Sequence, residues 1–326
     1  MNNPYTPPTL LRNGHVQTIL CGTAPRRQLL KKRSQQLVKN AESVILECHD
    51  GIKLQGFYTP NPSTDLSTAR GLVITIHGWE GCSESLYNLS VGSHLLSKGF
   101  SVFRLNLRDH GGTQHLNPLP FNSTRLREVV NAVEQIQRLF PQKNNYLCGF
   151  SLGGNFALRV AVAAQKAEIQ LNRVVAVCPV LDPINTMQTL EQGLPVYHQY
   201  FTERWKSSLS RKLALFPELN YGETLLKQNS LRSMMEYFAP LCTDYSDAVS
   251  YLKGYAITEN RLKNLTVPCH IITSKDDPVV SWLDLQRLAK SDLLTIELSE
   301  YGGHCGFFSD YKLNSWLDHR IDTLFN

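Results

Sequence analysis

Short apolar runs and longer helical patterns alternate along most of the chain. The run at 71–77 is almost continuously apolar, which is typical of a strand buried on both faces of a parallel sheet. The segment 122–140 has apolar residues three and four positions apart, which predicts a helix that ends before Pro141. This alternation predicts an α/β fold, in which helices cover both faces of a mostly parallel sheet. The predicted strands are 43–48, 53–58, 71–77, 101–107, 146–150, 173–180, 269–274 and 293–298, and the predicted helices are 85–98, 122–140, 156–164 and 307–325.

Turn and cap signals separate several of these elements. Asp50-Gly51 predicts a hairpin between the first two strands, and a Pro/Ser/Thr-rich loop follows the second. Gly99 lies where a helix over 85–98 would end in a left-handed residue. Ser281 and Asp284 have the spacing of a capping box, which predicts the start of another helix.

The alternation stops between residues 182 and 263. No buried-strand pattern occurs there, and amphipathic helical pieces rich in aromatic residues take its place. We expect this segment to be a helical cap inserted over the carboxyl edge of the sheet, with its aromatic residues mainly in the cap core. The predicted organisation is an N-terminal arm at 1–41, a core at 42–181 and 264–326, and a cap at 182–263.

Composition and charge leave a soluble globular protein as the expected class. The chain has 326 residues, 42% of them apolar, and a formal net charge of +5. A basic cluster near the N-terminus is expected to be a solvated face, with weak contact to an anionic membrane surface as the alternative. No motif indicates nucleic-acid binding. The cluster comprises Arg26, Arg27, Lys31, Lys32 and Arg33.

Cysteine usage and the termini favour a cytoplasmic protein. The eight cysteines show no C-x-x-C or Cys/His ligand spacing, so we expect free thiols and no metal site. The first residues lack the charged and apolar regions of a signal peptide, and no apolar run approaches the roughly 20 residues that span a bilayer.

The chemistry is expected at the end of the strand over 146–150. Ser151 lies between Gly149 and Gly153 in a Gly-x-Ser-x-Gly motif, and a helical pattern follows directly. This is the strand, sharp turn and helix that exposes a nucleophilic serine. A Cβ on either glycine would clash as the chain doubles back.

A serine nucleophile needs a base and a group that orients the base. Asp277 follows the penultimate strand and is the preferred acid, with Asp276 as the alternative. His304 follows the last strand between glycines and is the preferred base. The order Ser, Asp, His and the position of each after a strand place all three at one edge of the sheet.

Two backbone amides are expected to bind the oxyanion. The Leu152 amide begins the helix after the serine, and the Trp79 amide follows the strand over 71–77. His77, Gly78 and His110 lie after strands at the same edge and are candidate pocket residues, as is Asp276. His15 is expected to be structural.

These residues fall into motifs that resemble the YheT-like branch of the α/β-hydrolases, which carries an embryonic-type α/β-hydrolase domain. The resemblance covers nearly the whole chain. The motifs are Arg12-Asn13-Gly14-His15-x-Gln17-Thr18, His77-Gly78-x-Glu80-Gly81-x-Ser83-x-Ser85-x-Tyr87, Gly149-Phe150-Ser151-Leu152-Gly153-Gly154-Asn155, Asp276-Asp277-Pro278 and Gly302-Gly303-His304-x-Gly306.

The resemblance implies an α/β-hydrolase fold and a carboxylic-ester hydrolase that acts without a cofactor on short-chain or lipid-like acyl esters. Acyl transfer and thioester hydrolysis by the same triad, or a binding role on an inherited fold, are the alternatives. The chain departs from the family at Arg108-Asp109-His110 and at Trp79, both at the expected pocket mouth. Substrate preference is therefore left open, and so is the role of the stretch 12–18.

Overall fold

A single mixed sheet forms the centre of the molecule. The computed structural model describes residues 5–62 and 69–326, so the predicted loop after the second strand lies partly outside the described residues. Within them, eight strands pair in the order β1-β2-β4-β3-β5-β6-β7-β8, and all pairings from β4 to β8 are parallel. The strands are β1 (Glu42–Glu47), β2 (Lys53–Thr59), β3 (Gly71–Ile76), β4 (Phe100–Leu105), β5 (Asn145–Phe150), β6 (Arg173–Val177), β7 (Cys269–Ser274) and β8 (Leu294–Ser299).

The predicted hairpin forms the antiparallel edge of the sheet. β1 pairs with β2 from Glu42 opposite Tyr58 to Glu47 opposite Lys53. Asp50 and Gly51 adopt positive φ angles of 63° and 71° in the connecting turn, as the Asp-Gly signal predicts.

Helices cover both faces of the sheet, and each face has its own apolar core. Strand residues alternate between the two faces, so Leu72 and Ile74 join one core while Val73 joins the other. α5 (Leu126–Leu139) and α6 (Leu152–Ala163) pack in the first core. α4 (Leu86–Ser97) and the last helix, α12 (Trp316–Leu324), pack in the second, together with the N-terminal helices α1 (Gly14–Cys21), α2 (Ala24–Arg33) and α3 (Gln35–Lys39).

Between β6 and β7 the described chain is helical. Its helices are α7 (Pro183–Gln192), α8 (Pro195–Leu215), α9 (Gly222–Lys227), α10 (Leu231–Cys242) and α11 (Ala248–Gly254). Their apolar side chains join the core that contains α5 and α6. Buried aromatic residues of this segment include Trp205 and Phe238, as expected, whereas Tyr200 is 52% exposed.

Two predicted helices at the C-terminal end need correction. Residues Trp282–Arg287 form a 3₁₀ helix, and no capping box closes it: the Asp284 carboxylate accepts a hydrogen bond from Asn185, 2.6 Å away. The predicted helix over 307–325 begins only at Trp316, because Phe307 and Leu313 have positive φ angles of 47° and 57°. Tertiary contacts override the local helical pattern in both places.

The eight cysteines, all within the described residues, are free, and most of them are buried, which agrees with the absence of paired spacings. Among the helices of the described residues, none combines the length and apolar character that crossing a bilayer requires.

Candidate active site

Ser151 lies at a sharp bend between β5 and α6. Its backbone has φ 53° and ψ −118°, a strained conformation for a non-glycine residue. A Cβ on Gly149 would lie 2.1 Å from the Gly153 carbonyl oxygen, and one on Gly153 would lie 2.3 Å from that of Ile76. The tight packing of the two glycines therefore permits the bend that exposes the serine.

The structure brings Ser151, His304 and Asp277 into one hydrogen-bonded line. His304 Nε2 lies 2.9 Å from Ser151 Oγ, and Nδ1 lies 2.8 Å from Asp277 Oδ2. The other Asp277 oxygen accepts hydrogen bonds from the amides of Val279 and Val280 at 2.8 and 3.0 Å. The Asp277 side chain is fully buried, and these amides fix its orientation toward the imidazole.

Asp277 also sets the electrostatics of the base. Burial lowers the pKa of His304, but the Asp277 charge and hydrogen bond outweigh burial and raise that pKa above its ordinary value. With Nδ1–H directed at the carboxylate, Nε2 is free to accept the Ser151 proton.

Asp276, the alternative acid, occupies a different position. Its Oδ1 accepts a hydrogen bond from the Gly303 amide at 2.9 Å, so it braces the loop that carries His304. Burial raises the pKa of the Asp276 carboxyl.

The Trp79 and Leu152 amides, which are the predicted oxyanion donors, both belong to segments that adjoin Ser151. A Cβ on Gly78 would lie 3.0 Å from Ser151 Cβ, which brings the loop after β3 against the serine. Within the described residues, neither amide donates to a protein acceptor. The Leu152 amide also lies at the N-terminus of α6, where the helix dipole favours negative charge. Both donors can therefore serve a developing oxyanion.

His77 and His110 support that loop from behind. His77 Nε2 accepts the Leu107 amide at 3.0 Å, and His110 Nε2 accepts the Glu80 amide at 3.1 Å. Burial lowers the pKa of both imidazoles, that of His110 to about 4, so they are neutral. The expectation that these histidines and Asp276 line the pocket is corrected: they are absent from the described walls of the two pockets at Ser151, whereas Gly78 is present.

Two pockets meet at Ser151 and differ in chemistry. The inner pocket lies under the helices between β6 and β7 and is mostly apolar; its walls include Trp79, Leu190, Trp205, Met235 and Phe238. The outer pocket is lined by His304 and by residues of α1 and α8, and its mostly apolar walls also carry polar side chains, which include Thr18, Glu80, Tyr197 and Arg204. Several aromatic residues expected mainly in the cap core, such as Trp205 and Phe238, therefore also line a pocket at Ser151.

The stretch 12–18, which had no predicted role, contacts the loop at 302–306 that carries His304, here called the base loop. Thr18 Oγ1 accepts the His304 backbone amide at 2.8 Å. His15 Nδ1 lies 3.0 Å from the hydroxyl of Tyr197 in α8, a structural contact of the kind expected. The motif was visible in the sequence, but these two partners lie 286 and 182 residues away, so local pattern gave no signal for them.

One group of potential metal ligands occurs among the described residues. Ligand atoms of Cys178, His304 and Cys305 all lie within 4.8 Å of one another. Both nitrogens of His304 face other partners, and burial raises the pKa of both thiols. Neutral thiols bind metals poorly, so these sulfurs are best described as packing beneath the triad.

The chain is similar in sequence to proteins named monoacylglycerol lipase. The chain is 24% identical over 355 residues to a Danio rerio protein named monoacylglycerol lipase ABHD2, covering 100% of this chain and 80% of that protein. It is 21% identical over 277 residues to a monoacylglycerol lipase of Saccharomyces cerevisiae, covering 80% of this chain and 60% of that protein.

Solved structures show the same fold. The esterase Pf2001 of Pyrococcus furiosus superimposes with a TM-score of 0.54 at 15% identity, covering 87% of this chain and 90% of that chain. The profile of the α/β hydrolase fold matches residues 71–310, which is well over half of the chain. The chain therefore belongs to the α/β-hydrolase fold family.

Proposed function

We propose that this protein is a serine ester hydrolase that cleaves lipid-like carboxylic esters through an acyl-enzyme on Ser151. The observation that carries the proposal is the continuous line from Ser151 Oγ through His304 to the buried Asp277 carboxylate. The motifs favour the YheT-like branch of the family, and the relatives named monoacylglycerol lipase favour a lipid ester.

In this mechanism Ser151 attacks the ester carbonyl while His304 Nε2 accepts its proton. The tetrahedral oxyanion receives hydrogen bonds from the Trp79 and Leu152 amides. His304 then donates the proton to the departing alcohol. A water molecule, activated by the same imidazole, attacks the acyl-enzyme and releases the acid.

The two pockets suggest how such an ester would bind. The inner pocket offers apolar side chains such as Leu190 and Met235, so we assign the acyl chain to it. The outer pocket offers Glu80, Tyr197 and Arg204, which suit a hydroxyl-bearing alcohol. A lipid ester would then lie with its carbonyl at Ser151, its acyl chain in the inner pocket and its alcohol beside the polar groups of the outer pocket.

The decisive experiment is covalent labelling with a fluorophosphonate, which reacts only with an activated serine. We expect the wild-type protein to be labelled and Ser151→Ala to be unlabelled. Ser151→Ala should also lose about 10⁶ of the turnover of p-nitrophenyl esters. Ser309→Ala, at an exposed serine, is the matched control. Full turnover by Ser151→Ala would refute the proposal, and an unlabelled wild type would favour a binding role.

Substrate class needs a second measurement. We expect kcat/KM to be higher for long-chain monoacylglycerols than for the matching acyl thioesters. A competing alcohol should not divert the acyl group from water. Efficient formation of a new ester would instead identify an acyltransferase.

A further inference from the structure

The N-terminal arm carries an unusual share of the positive charge. Residues 1–41 contain seven Lys and Arg and no Asp or Glu, whereas the rest of the chain has 26 basic and 28 acidic residues. Arg26 is buried against Phe308 and is not part of an exposed face. Arg27 and Lys31 are exposed and lie one turn apart on α2, so they share a side of that helix.

This charge borders exposed apolar side chains at the mouth of the outer pocket. Ile19 of α1 is 49% exposed, and Val196 and Tyr200 of α8 are 51% and 52% exposed. All three line the outer pocket, as do Arg27 and Arg204. The stacked rings of His15 and Tyr197 hold α1 against α8 at this mouth. Two glutamates, Glu80 and Glu84, also line the pocket and offset the charges of Arg27 and Arg204 there, so the excess positive charge comes from the other basic residues of the arm.

We propose that this rim, formed by Ile19, Arg27, Lys31, Val196 and Tyr200, docks on an anionic lipid bilayer. The proposal rests on the proposed function, because it supplies the route by which a lipid ester would reach Ser151. Apolar side chains would enter the headgroup boundary, while basic side chains would bind anionic headgroups. The occupant is a lipid surface because exposed apolar side chains border the opening that leads to the serine, and the adjoining N-terminal arm carries seven basic residues and no acidic ones.

Vesicle co-sedimentation tests the docking without any turnover. We expect the wild-type protein to bind vesicles of phosphatidylcholine with 30% phosphatidylglycerol, and to bind pure phosphatidylcholine much more weakly. Each basic residue near an anionic surface contributes about fivefold in affinity, so Arg27→Gln/Lys31→Gln should weaken binding by about 30-fold. Ile19→Ser/Val196→Ser should also weaken it at least tenfold.

Matched controls lie away from the rim. Lys166→Gln/Lys253→Gln removes two exposed charges, and Ile45→Ser/Leu139→Ser removes two comparably exposed apolar side chains. Both controls should bind like the wild type. The proposal is overturned if the wild type ignores anionic vesicles, binds both vesicle types equally, or loses no more affinity in the rim variants than in the controls. Fluorophosphonate labelling, measured separately, shows whether the proposed function itself has failed.

A separate set of contacts concerns the inner face of α1. Thr18 Oγ1 accepts the His304 amide at 2.8 Å and donates to the Gly14 carbonyl at 2.6 Å. A Cβ on Gly14 would lie 1.8 Å from the Asp276 carbonyl oxygen, so α1 also lies directly against the loop that carries Asp276 and Asp277. Gln17 Oε1 accepts the Phe308 amide at 2.9 Å.

The base loop depends on such support because its backbone is strained. Gly303 and Cys305, on either side of His304, have positive φ angles of 54° and 65°. A non-glycine residue in this region is held only where its surroundings over-determine the conformation. We infer that Thr18 is a positioning residue, which acts through the His304 backbone and sets the distance between Nε2 and Ser151 Oγ.

Thr18→Val and Thr18→Ser separate positioning from mere packing. Valine keeps the shape of threonine but cannot accept the amide hydrogen bond, whereas serine can. Since misplacing a catalytic group by about 1 Å can cost 10²-fold, we expect Thr18→Val to lower the fluorophosphonate labelling rate and kcat by 10- to 100-fold. Thr18→Ser should stay within about threefold of the wild type.

The readouts are the labelling rate, the split between kcat and KM, and the thermal midpoint. The loss should fall on kcat, with a fall in thermal midpoint too small to unfold the protein at the assay temperature. Labelling of Thr18→Val at the wild-type rate, or an equal loss in Thr18→Ser, would overturn the inference. Should Thr18→Val fail to fold, Thr18→Ala removes the acceptor without adding a methyl group beside the amide, and the same criteria apply. An unlabelled wild type would indicate failure of the proposed function instead.

Discussion

A buried ion pair ties α8 to the loop after β4, where the sequence departs from the family it resembles. Lys212 Nζ lies 2.7 Å from Asp109 Oδ1, and the two side chains are 1% and 6% exposed. The ammonium also donates hydrogen bonds to the carbonyl oxygens of Gln114 and Asn117. The other Asp109 oxygen accepts the Phe121 amide at 2.8 Å. Both charges are therefore paired, and each is held by further hydrogen bonds.

Replacing Lys212 by methionine would leave the Asp109 carboxylate buried without its cation. Removing one partner of such a pair costs about 3–5 kcal/mol, because the remaining charge is uncompensated. We expect Lys212→Met to lose this amount of unfolding free energy at pH 7.5. Urea unfolding, followed by far-ultraviolet circular dichroism and tryptophan fluorescence, measures it.

The loss should depend on pH in a defined direction. Burial raises the pKa of Asp109, and Lys212 opposes that rise, so the pKa of Asp109 rises further in Lys212→Met. The folded variant then binds a proton that the unfolded chain has released, and stability falls as pH rises from the unfolded pKa of about 3.9 to the folded one. The slope is about 1.4 kcal/mol per pH unit, so the loss should be smaller at pH 5 than at pH 7.5.

Two controls test whether the unpaired Asp109 carboxylate causes the loss of stability. Asp109→Asn/Lys212→Met removes both charges, so it should be more stable than Lys212→Met at pH 7.5 and should show little pH dependence beyond that of the wild type. Lys166→Met, at an exposed position, should change stability by less than about 0.5 kcal/mol. A loss below about 1 kcal/mol in Lys212→Met, or an equal loss at both pH values, would refute the reasoning.

Three further predictions concern the site. Asp277→Asn should lower kcat by about 10⁴. It should also move the acid limb of the kcat/KM profile to lower pH, because the Asp277 charge that raises the pKa of His304 is lost, and an acid limb at the wild-type pH would contradict this. Burial raises the pKa of Glu80 to about 7, so its charge destabilises the fold as pH rises from about 4.5 to 7. Glu80→Gln should therefore unfold at a higher urea concentration than the wild type at pH 8 but not at pH 4, and an equal difference between the two proteins at both pH values would contradict this. Met235→Trp should fill the inner pocket and shift the kcat/KM optimum in an ester series to shorter acyl chains. An unchanged optimum would indicate that the acyl chain does not bind in the inner pocket.

The parts of the molecule that sequence predicted well are those governed by local pattern. The run 71–77 predicts a buried strand because its side chains up to Ile76 are apolar or small, and β3 is buried throughout. The bend at Ser151 could be predicted because its glycines lie two residues away, and the clash they avoid is local. The preference for Asp277 over Asp276 had a similar basis, since Val279 and Val280 follow directly and their amides bind Asp277.

The errors arose where distant segments decide the backbone. Residues 307–315 have a helical pattern, yet Phe308 donates its amide to Gln17 and Trp316 donates its amide to the Phe307 carbonyl. Asp284 has the spacing of a helix cap, but Asn185 from α7 takes its carboxylate. A window of neighbouring residues does not contain these partners, so local signals predicted a helix over 307–325 and a capped helix that begins at Ser281.

The N-terminal arm had no predicted role for a similar reason, because the partners of α1 also lie far away in the sequence. α1 is short, and the residues on its inner face are Gly14, Gln17 and Thr18, which are too small or too polar to read as a core-facing stripe. These residues suit the inner face of α1 because that face contacts backbone groups of the base loop. Such groups need close approach and hydrogen-bond partners rather than contact with apolar side chains. His304 is thus held through its side chain by a neighbouring loop and through its backbone by the opposite end of the chain. The position of α1 therefore completes the support of His304 that Asp277 provides from the other side.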